Sequence, residues 1–311
     1  MYDIVNKRFW LYVISGLLIL AGVISMVTPF GRLRLSTEFS SGTQMRVAFT
    51  EEVSQDEISK ELASLGYTDV VIRSEIKVGG GQGDYIIRTP VLSDTEKTAL
   101  VDDLMAKFGE VNVSGFQNIS PEIASETIRA TAIAVVVAAI GILLFIIFAF
   151  RRMPHPFRYG TCAIIALTHD VIVSIGIFSI MSGFFGWEID LMFITGILTV
   201  IGFSCDNSVV IFDRIRENLK MGISSNFEVV VNDSIIGTLG RCINTSLAVV
   251  ITMLAMMFFV GSTIQNFVVV MLIGTIAGTF DSVCVAPTLL VVWEKGEWGR
   301  FIPFRSSKAK A

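Results

Sequence analysis

Four ionisable residues stand in stretches otherwise made of apolar side chains: Asp170, Asp206, Arg241 and Asp281. A charged Asp or Arg at the centre of a membrane-spanning helix costs about 2.5–3.5 kcal/mol on insertion scales, so such groups mark functional sites by default. Their spacing sorts them. Thr195, Thr199, Gly202, Asp206, Val209 and Asp213 recur at steps of three and four, which puts them on one helical face. Arg241, Thr245, Ala248, Thr252 and Ala255 repeat the pattern, as do Gly274, Gly278 and Asp281, and Asp170 with Ser174. Small faces let helices approach closely in lipid. The stripes predict a helix bundle whose interior holds carboxylates facing one arginine. Burial favours the neutral carboxyl and a neighbouring arginine favours the charged one, so together they set the pH of a protonation step. One proton moving through 100 mV releases about 2.3 kcal/mol, the scale of one insertion penalty. The bland alternative is a fixed Asp206–Arg241 ion pair that only orients helices.

Other chemistry is thinly represented. His169 titrates near neutrality when unperturbed, and beside Asp170 it reads either as a relay member or as a hydrogen-bonded packing residue. His155 lies between prolines in a basic loop and reads as a solvated turn. With two histidines and four scattered cysteines (Cys162, Cys205, Cys242 and Cys284), neither a disulfide framework nor a metal site is expected, and the cysteines read as small buried hydrophobes. No Ser-His-Asp order, phosphate-binding loop or carboxylate pair calls for catalysis, so no catalytic residue and no cofactor is assigned. A net charge of -4 without basic runs argues against nucleic acid.

The elements that must position these groups follow from hydropathy. The 311 residues are 52% hydrophobic and 17% charged, too apolar for one soluble fold. Six stretches are long enough for a bilayer core of about 30 Å: Phe9 to Gly31, Ala130 to Phe150, Tyr159 to Phe185, Leu191 to Phe212, and Cys242 to Phe280 divided at Gly261 to Asn266, with the sixth helix running from Phe267 to Trp293. Lys7, Arg8, Arg151, Arg152, Arg158, Arg214, Arg216, Lys220, Lys295 and the basic C-terminal tail fall on one side of these spans. Short cytoplasmic loops collect such residues, so both termini are expected in the cytoplasm and residues 32–125 outside. The first span, lacking a small-x-small cleavage site, reads as a retained anchor.

Residues 32–120 hold 9 basic and 14 acidic side chains, a soluble density. Thr43 to Phe49 alternates as a strand; Ser54 with Glu57, and Ser93 with Glu96, have the spacing of capping boxes before helices to Leu65 and Phe108. Val70 to Val78 and Tyr85 to Thr89 read as strands joined by the glycine-rich tip Gly79 to Asp84, and Val111 to Ile119 as a last strand. The order βαββαβ predicts a ferredoxin-like domain. The expected organisation is therefore 1–31, a tail and first transmembrane helix; 32–125, an external α+β domain; 126–294, the bundle of helices two to six; and 295–311, a basic cytoplasmic tail.

The run Gly202-Phe203-Ser204-Cys205-Asp206-Asn207-Ser208-Val209-Val210-Ile211-Phe212-Asp213-Arg214-Ile215-Arg216-Glu217-Asn218 resembles the SecF signature of the SecD/SecF family, within the resistance-nodulation-division superfamily. His169-Asp170 resembles its HD motif, and Arg241-Cys242-Ile243-Asn244-Thr245-Ser246 its RTxNTS motif. The resemblance implies a multi-pass subunit of the cytoplasmic (inner) membrane, an auxiliary of the Sec protein translocase. Its implied partners are SecD, the SecYEG channel, the translocating unfolded polypeptide and, as a further candidate, YajC. It implies that the proton-motive force drives late export, with Arg241 matching the family's functional arginine and Asp170 its HD aspartate; Asp206 and Asp281, read from their intramembrane charge, complete the expected proton relay, with Asn207, His169, Asn244 and Thr245 in support. The chain departs from the family pattern in three places. The usual Asn-Asp pair is reversed to Asp206-Asn207, a GxDFxGGT motif is replaced by Thr37-Glu38-Phe39-Ser40-Ser41-Gly42-Thr43, and Asp281 stands where a small residue is usual. One account is that Asp281 restores the carboxylate lost at position 207. The rival readings are a proton-driven export half-transporter for a lipid or small hydrophobic solute, and a non-transporting channel scaffold.

Overall fold

The computed structural model describes residues 3–28, 31, 33–50, 53–67, 70–74, 84–152, 155–259 and 264–297. The end of the expected strand at 75–78, the glycine tip at 79–83, the first half of the break expected at 261–266 and the basic tail beyond 297 lie outside the described residues. In chain order the elements are α1 (Arg8–Val27), β1 (Arg34–Leu35), α2 (Thr37–Ser40), β2 (Gly42–Phe49), α3 (Gln55–Ser64), β3 (Val71–Ser74), β4 (Tyr85–Thr89), α4 (Asp94–Phe108) and β5 (Val111–Ile119). They continue with α5 (Pro121–Phe150), α6 (Pro156–Phe185), β6 (Glu188–Ile189), α7 (Leu191–Met221), α8 (Phe227–Phe259), α9 (Gln265–Phe280), a π-helical turn (Asp281–Val285) and α10 (Ala286–Lys295). Six helical segments are long and apolar enough to cross a membrane: α1 with the turn before it, α5, α6, α7, α8, and α9 through α10.

Between α1 and α5, strands β2 to β5 form one antiparallel sheet in the order β3-β4-β2-β5, and helices α3 and α4 complete the βαββαβ unit expected from the pattern. The alternation of β2 places Met45, Val47 and Phe49 in a core with Ile58, Leu62, Ile87, Leu100 and Leu104. Both predicted capping boxes form: the Ser54 and Ser93 side chains accept from the amides of Glu57 and Glu96, whose carboxylates accept from the Ser54 and Ser93 amides. Hydrogen bonds from the Ser93 hydroxyl and amide hold the Glu96 carboxyl below its ordinary range.

A second, two-stranded sheet joins segments far apart in the chain. β1 pairs in parallel with β6, Arg34 opposite Glu188 and Leu35 opposite Ile189, so the entry to the α+β domain is tied to the link between α6 and α7. Glu188 lies 3.6 Å from Arg73 and 3.5 Å from Arg88 of the larger sheet, and Glu38 accepts from the Leu191 amide at 2.8 Å. Asp190 caps α7 by accepting from the Phe193 amide. Burial raises its carboxyl above the ordinary value against the hydrogen bonds from Phe193 and Asn266.

Glycine sets two helix contacts in the bundle. On α1 and α6 the pairs Ser15 with His169 and Ser25 with Ser179 hydrogen-bond, and between them a Cβ on Gly176 would stand 2.7 Å from Gly22 Cα. The two helices therefore run in parallel and touch backbone to backbone. On α9, a Cβ at Gly274 would overlap the side chain of Val200 on α7. Gly176→Leu is expected to force α1 from α6 and destabilise the protein by about 1–3 kcal/mol, the usual cost of overpacking; thermal unfolding of the full chain in detergent reads it, and an unchanged midpoint would contradict the contact.

Candidate functional site

The structure divides the four intramembrane charges into two pairs. Asp170, midway along α6, and Asp281, where α9 passes into the π-helical turn, are both fully buried. Asp206, midway along α7, and Arg241, near the middle of α8, are both exposed on the chain's surface, as are Asn244 and Thr245. Among the described residues no ion pair joins Asp206 and Arg241. The expectation that interior carboxylates face the arginine is therefore corrected: the stripes on α7 and α8 point out of the bundle. Thr195, Thr199, Gly202 and Asp213 are exposed with Asp206, and Ala248, Thr252 and Ala255 with Arg241. The physical reason is that α7 turns its other face, through Gly196, Val200 and Ser204, onto α9.

The interior cluster is built by four helices. His169, 9% exposed, directs Nδ1 to within 3.4 Å of Asp281 Oδ1 and 3.6 Å of Asp170 Oδ1. Its Nε2 contacts the hydroxyl of Ser15 on α1, and Ser204 of α7 donates to Asp170 Oδ2. Gly278 makes the approach possible: a Cβ there would lie 3.1 Å from Ser204 Cβ and 3.3 Å from Asp170 Oδ2. Asp281 opens the π-helical turn, in which the Ala286 amide donates to the Asp281 carbonyl. Pro287, with no N–H, cannot continue the α-helical ladder at that point, and π-turns occur frequently at functional sites. Around the cluster, Ser208 and Ser282 hydrogen-bond at 3.2 Å, and Tyr12 donates to Thr288 at 2.8 Å. Asn207 is buried with its Nδ2 unpaired, so it faces inward while neighbouring Asp206 faces out.

Several positions escaped the sequence reading. Ser204 lies in the signature run without standing out there as a cluster member, and the signal for Ser15 is helical spacing, seven residues before Gly22 as His169 is before Gly176. Cys162, Cys205 and Cys242 are free and buried, and Cys284 is free and partly buried. Ser204→Ala is expected to leave a buried Asp170 oxygen without its donor and to lower stability by about 1–3 kcal/mol, read as a lower unfolding midpoint of the full chain in detergent; a neutral substitution would contradict the hydrogen bond.

Residues 100–296 match the family model described as "Protein export membrane protein SecD/SecF, C-terminal". The chain is 40% identical over 318 residues to the protein translocase subunit SecF of Thermobaculum terrenum, covering all of this chain and 99% of that protein. It is 31% identical over 302 residues to the protein translocase subunit SecDF of Bacillus subtilis, covering 95% of this chain and 38% of that one. Among solved structures, the crystal structure of the translocon-associated membrane protein SecDF from Thermus thermophilus superposes with a TM-score of 0.81 at 27% identity, over 94% of this chain and 39% of that chain.

Proposed function

Because the chain belongs to the SecD/SecF family, as a SecF-type protein translocase subunit, we propose that it works with SecD and the SecYEG channel in the cytoplasmic membrane. There it promotes export of unfolded polypeptides with energy from the proton-motive force. The observation that carries this reading is the exposed pair Asp206 and Arg241, each near the middle of a membrane-spanning helix on a stripe of small and polar residues. Facing lipid, each would cost about 2.5–3.5 kcal/mol, and small-residue stripes are the surfaces that let membrane helices meet. A second half of similar construction covers that face. The fused relative and the solved SecDF chain support SecD as that half, since this chain corresponds to 38% of one and 39% of the other.

In this reading Arg241 and Asp206 handle protons at the seam between the halves, and Asp170 and Asp281 do so inside this half, with Asn207, His169, Asn244 and Thr245 as polar support. The termini lie in the cytoplasm and the α+β domain outside, where it meets the exported chain; YajC is a further candidate partner. The organisation 1–31, 32–125, 126–294 and 295–311 belongs to this reading, its second boundary falling inside the first turns of α5 and its third one residue before the end of α10. Two things argue for the Sec role over a solute exporter: the family and the acidic compact domain.

In membrane vesicles containing SecYEG, SecD and this chain, Asp206→Asn and Arg241→Met are each expected to reduce export to the level seen without a proton gradient. Retention of the gradient-dependent increment by both folded variants would sink the proton role. For the seam itself, a cysteine introduced at Gly202 or Thr245 is expected to crosslink to SecD; crosslinks formed only with lipid probes would place the face elsewhere.

A further inference from the structure

Beyond the export role, the buried cluster has the donor set and spacing of a metal site. The four polar atoms that converge on its centre, His169 Nδ1, Asp170 Oδ1 and both carboxylate oxygens of Asp281, have no hydrogen-bond partner. The two atoms that point away do: Ser15 meets His169 Nε2, and Ser204 donates to Asp170 Oδ2. Metal-binding histidines and carboxylates are arranged in this way, with the ligating atom bare and the other atom held by a neighbour that fixes the ring or carboxylate. One ligand atom from each of the three residues lies within 4.8 Å of the others. The 3.4 and 3.6 Å separations from His169 Nδ1 exceed the 2.7–3.2 Å of a good hydrogen bond. They are close to the edge of about 3.4 Å that a tetrahedron with bonds of about 2.0–2.1 Å requires.

Charge points the same way. Metal ligation takes both acids as carboxylates and His169 as a neutral imidazole, a form that leaves two negative charges for an ion to balance. Among the described residues no Lys or Arg pairs with either acid. The packed helices bring uncharged groups to the cluster: Ser15 from α1, Ser204 from α7 and Gly278 from α9. A divalent ion balances the count, and one nitrogen with two or three carboxylate oxygens is a donor set that zinc-like first-row ions accept. We propose that His169, Asp170 and Asp281 bind a divalent transition-metal ion inside the helix bundle, with Ser15 and Ser204 orienting the ligands. The ion and protons compete for the same carboxylates.

The test uses the full chain expressed in zinc- or cobalt-supplemented medium and purified in detergent without chelator. Metal analysis is expected to give about one ion per chain, and cobalt to show the ligand-field absorption of a tetrahedral site. His169→Ala and Asp281→Asn are each expected to lower the bound metal at least about tenfold, whereas Asp213→Asn, away from the cluster, keeps it. Asp281→Cys separates misfolding from loss of a ligand: it is expected to retain cobalt and to add a sulfur-to-metal charge-transfer band. A wild-type chain with no more metal than His169→Ala, or equal metal in every variant, overturns the site. So does a carboxylic-acid infrared band in the wild type that disappears in Asp170→Asn and Asp281→Asn, which would show that protons neutralise the cluster. Metal content is read without SecD, channel or gradient, so its failure leaves the proposed export role standing.

Discussion

Hydrocarbon does not solvate charge, and the arrangement of this chain follows from where its few intramembrane charges are covered. A group at mid-span has three ways to avoid lipid: a partner inside its own bundle, a partner on another chain, or neutralisation. Asp170 and Asp281 avoid lipid by burial inside their own bundle, Asp170 accepting from Ser204 and Asp281 lying beside the His169 ring. Asp206 and Arg241 cannot, since α7 and α8 turn them outward with their small-residue stripes. The same penalty that makes a lone charge costly thus makes the outer face of α7 and α8 a surface that needs a second half.

Close helix approach is what lets the interior pair exist. A buried carboxylate needs donors at short range from several directions, and only small side chains let four helices deliver them. Gly22 and Gly176 bring α1 against α6, which carries Ser15 to His169. Gly274 and Gly278 bring α9 against α7, which carries Ser204 to Asp170 and sets Asp281 beside them. The π-turn adds a local freedom. By closing a wider ring of hydrogen bonds it rotates α10 relative to α9, so that Asp281 and the start of α10 need not share one α-helical face.

The sequence was informative where the signal is local. Strand alternation at 43–49, the Ser-x-x-Glu pairs at 54 and 93, and long apolar runs each depend on residues near one another, and each corresponds to an observed element. It failed where the answer depends on a neighbour. The spacing of Asp206 with Thr199 and Gly202 is the same whether that face meets another helix of this chain or leaves it, so periodicity showed a shared face and not what covers it. Two-residue strands such as β1 and β6 have no periodicity at all, and their pairing arises from the tertiary approach of residues far apart. Pro287 was a visible reason for a break in the last span, but a proline predicts a lost hydrogen bond, not that the backbone repairs it as a π-turn.

The β1–β6 pair also changes how the α+β domain relates to the membrane. A domain inserted between two helices is held only by its two covalent links unless its surface makes contacts of its own. Here Arg34 and Leu35 bond to the link between α6 and α7, Arg73 and Arg88 approach Glu188, and Asn266 at the start of α9 donates to the Glu188 carbonyl and to Asp190. Glu188 therefore stands between the domain's sheet and three spanning helices. Those helices, α6, α7 and α9, are the ones that carry His169, Asp170, Ser204 and Gly278 and lead into Asp281. The domain and the buried cluster are thus fastened to different stretches of the same three helices.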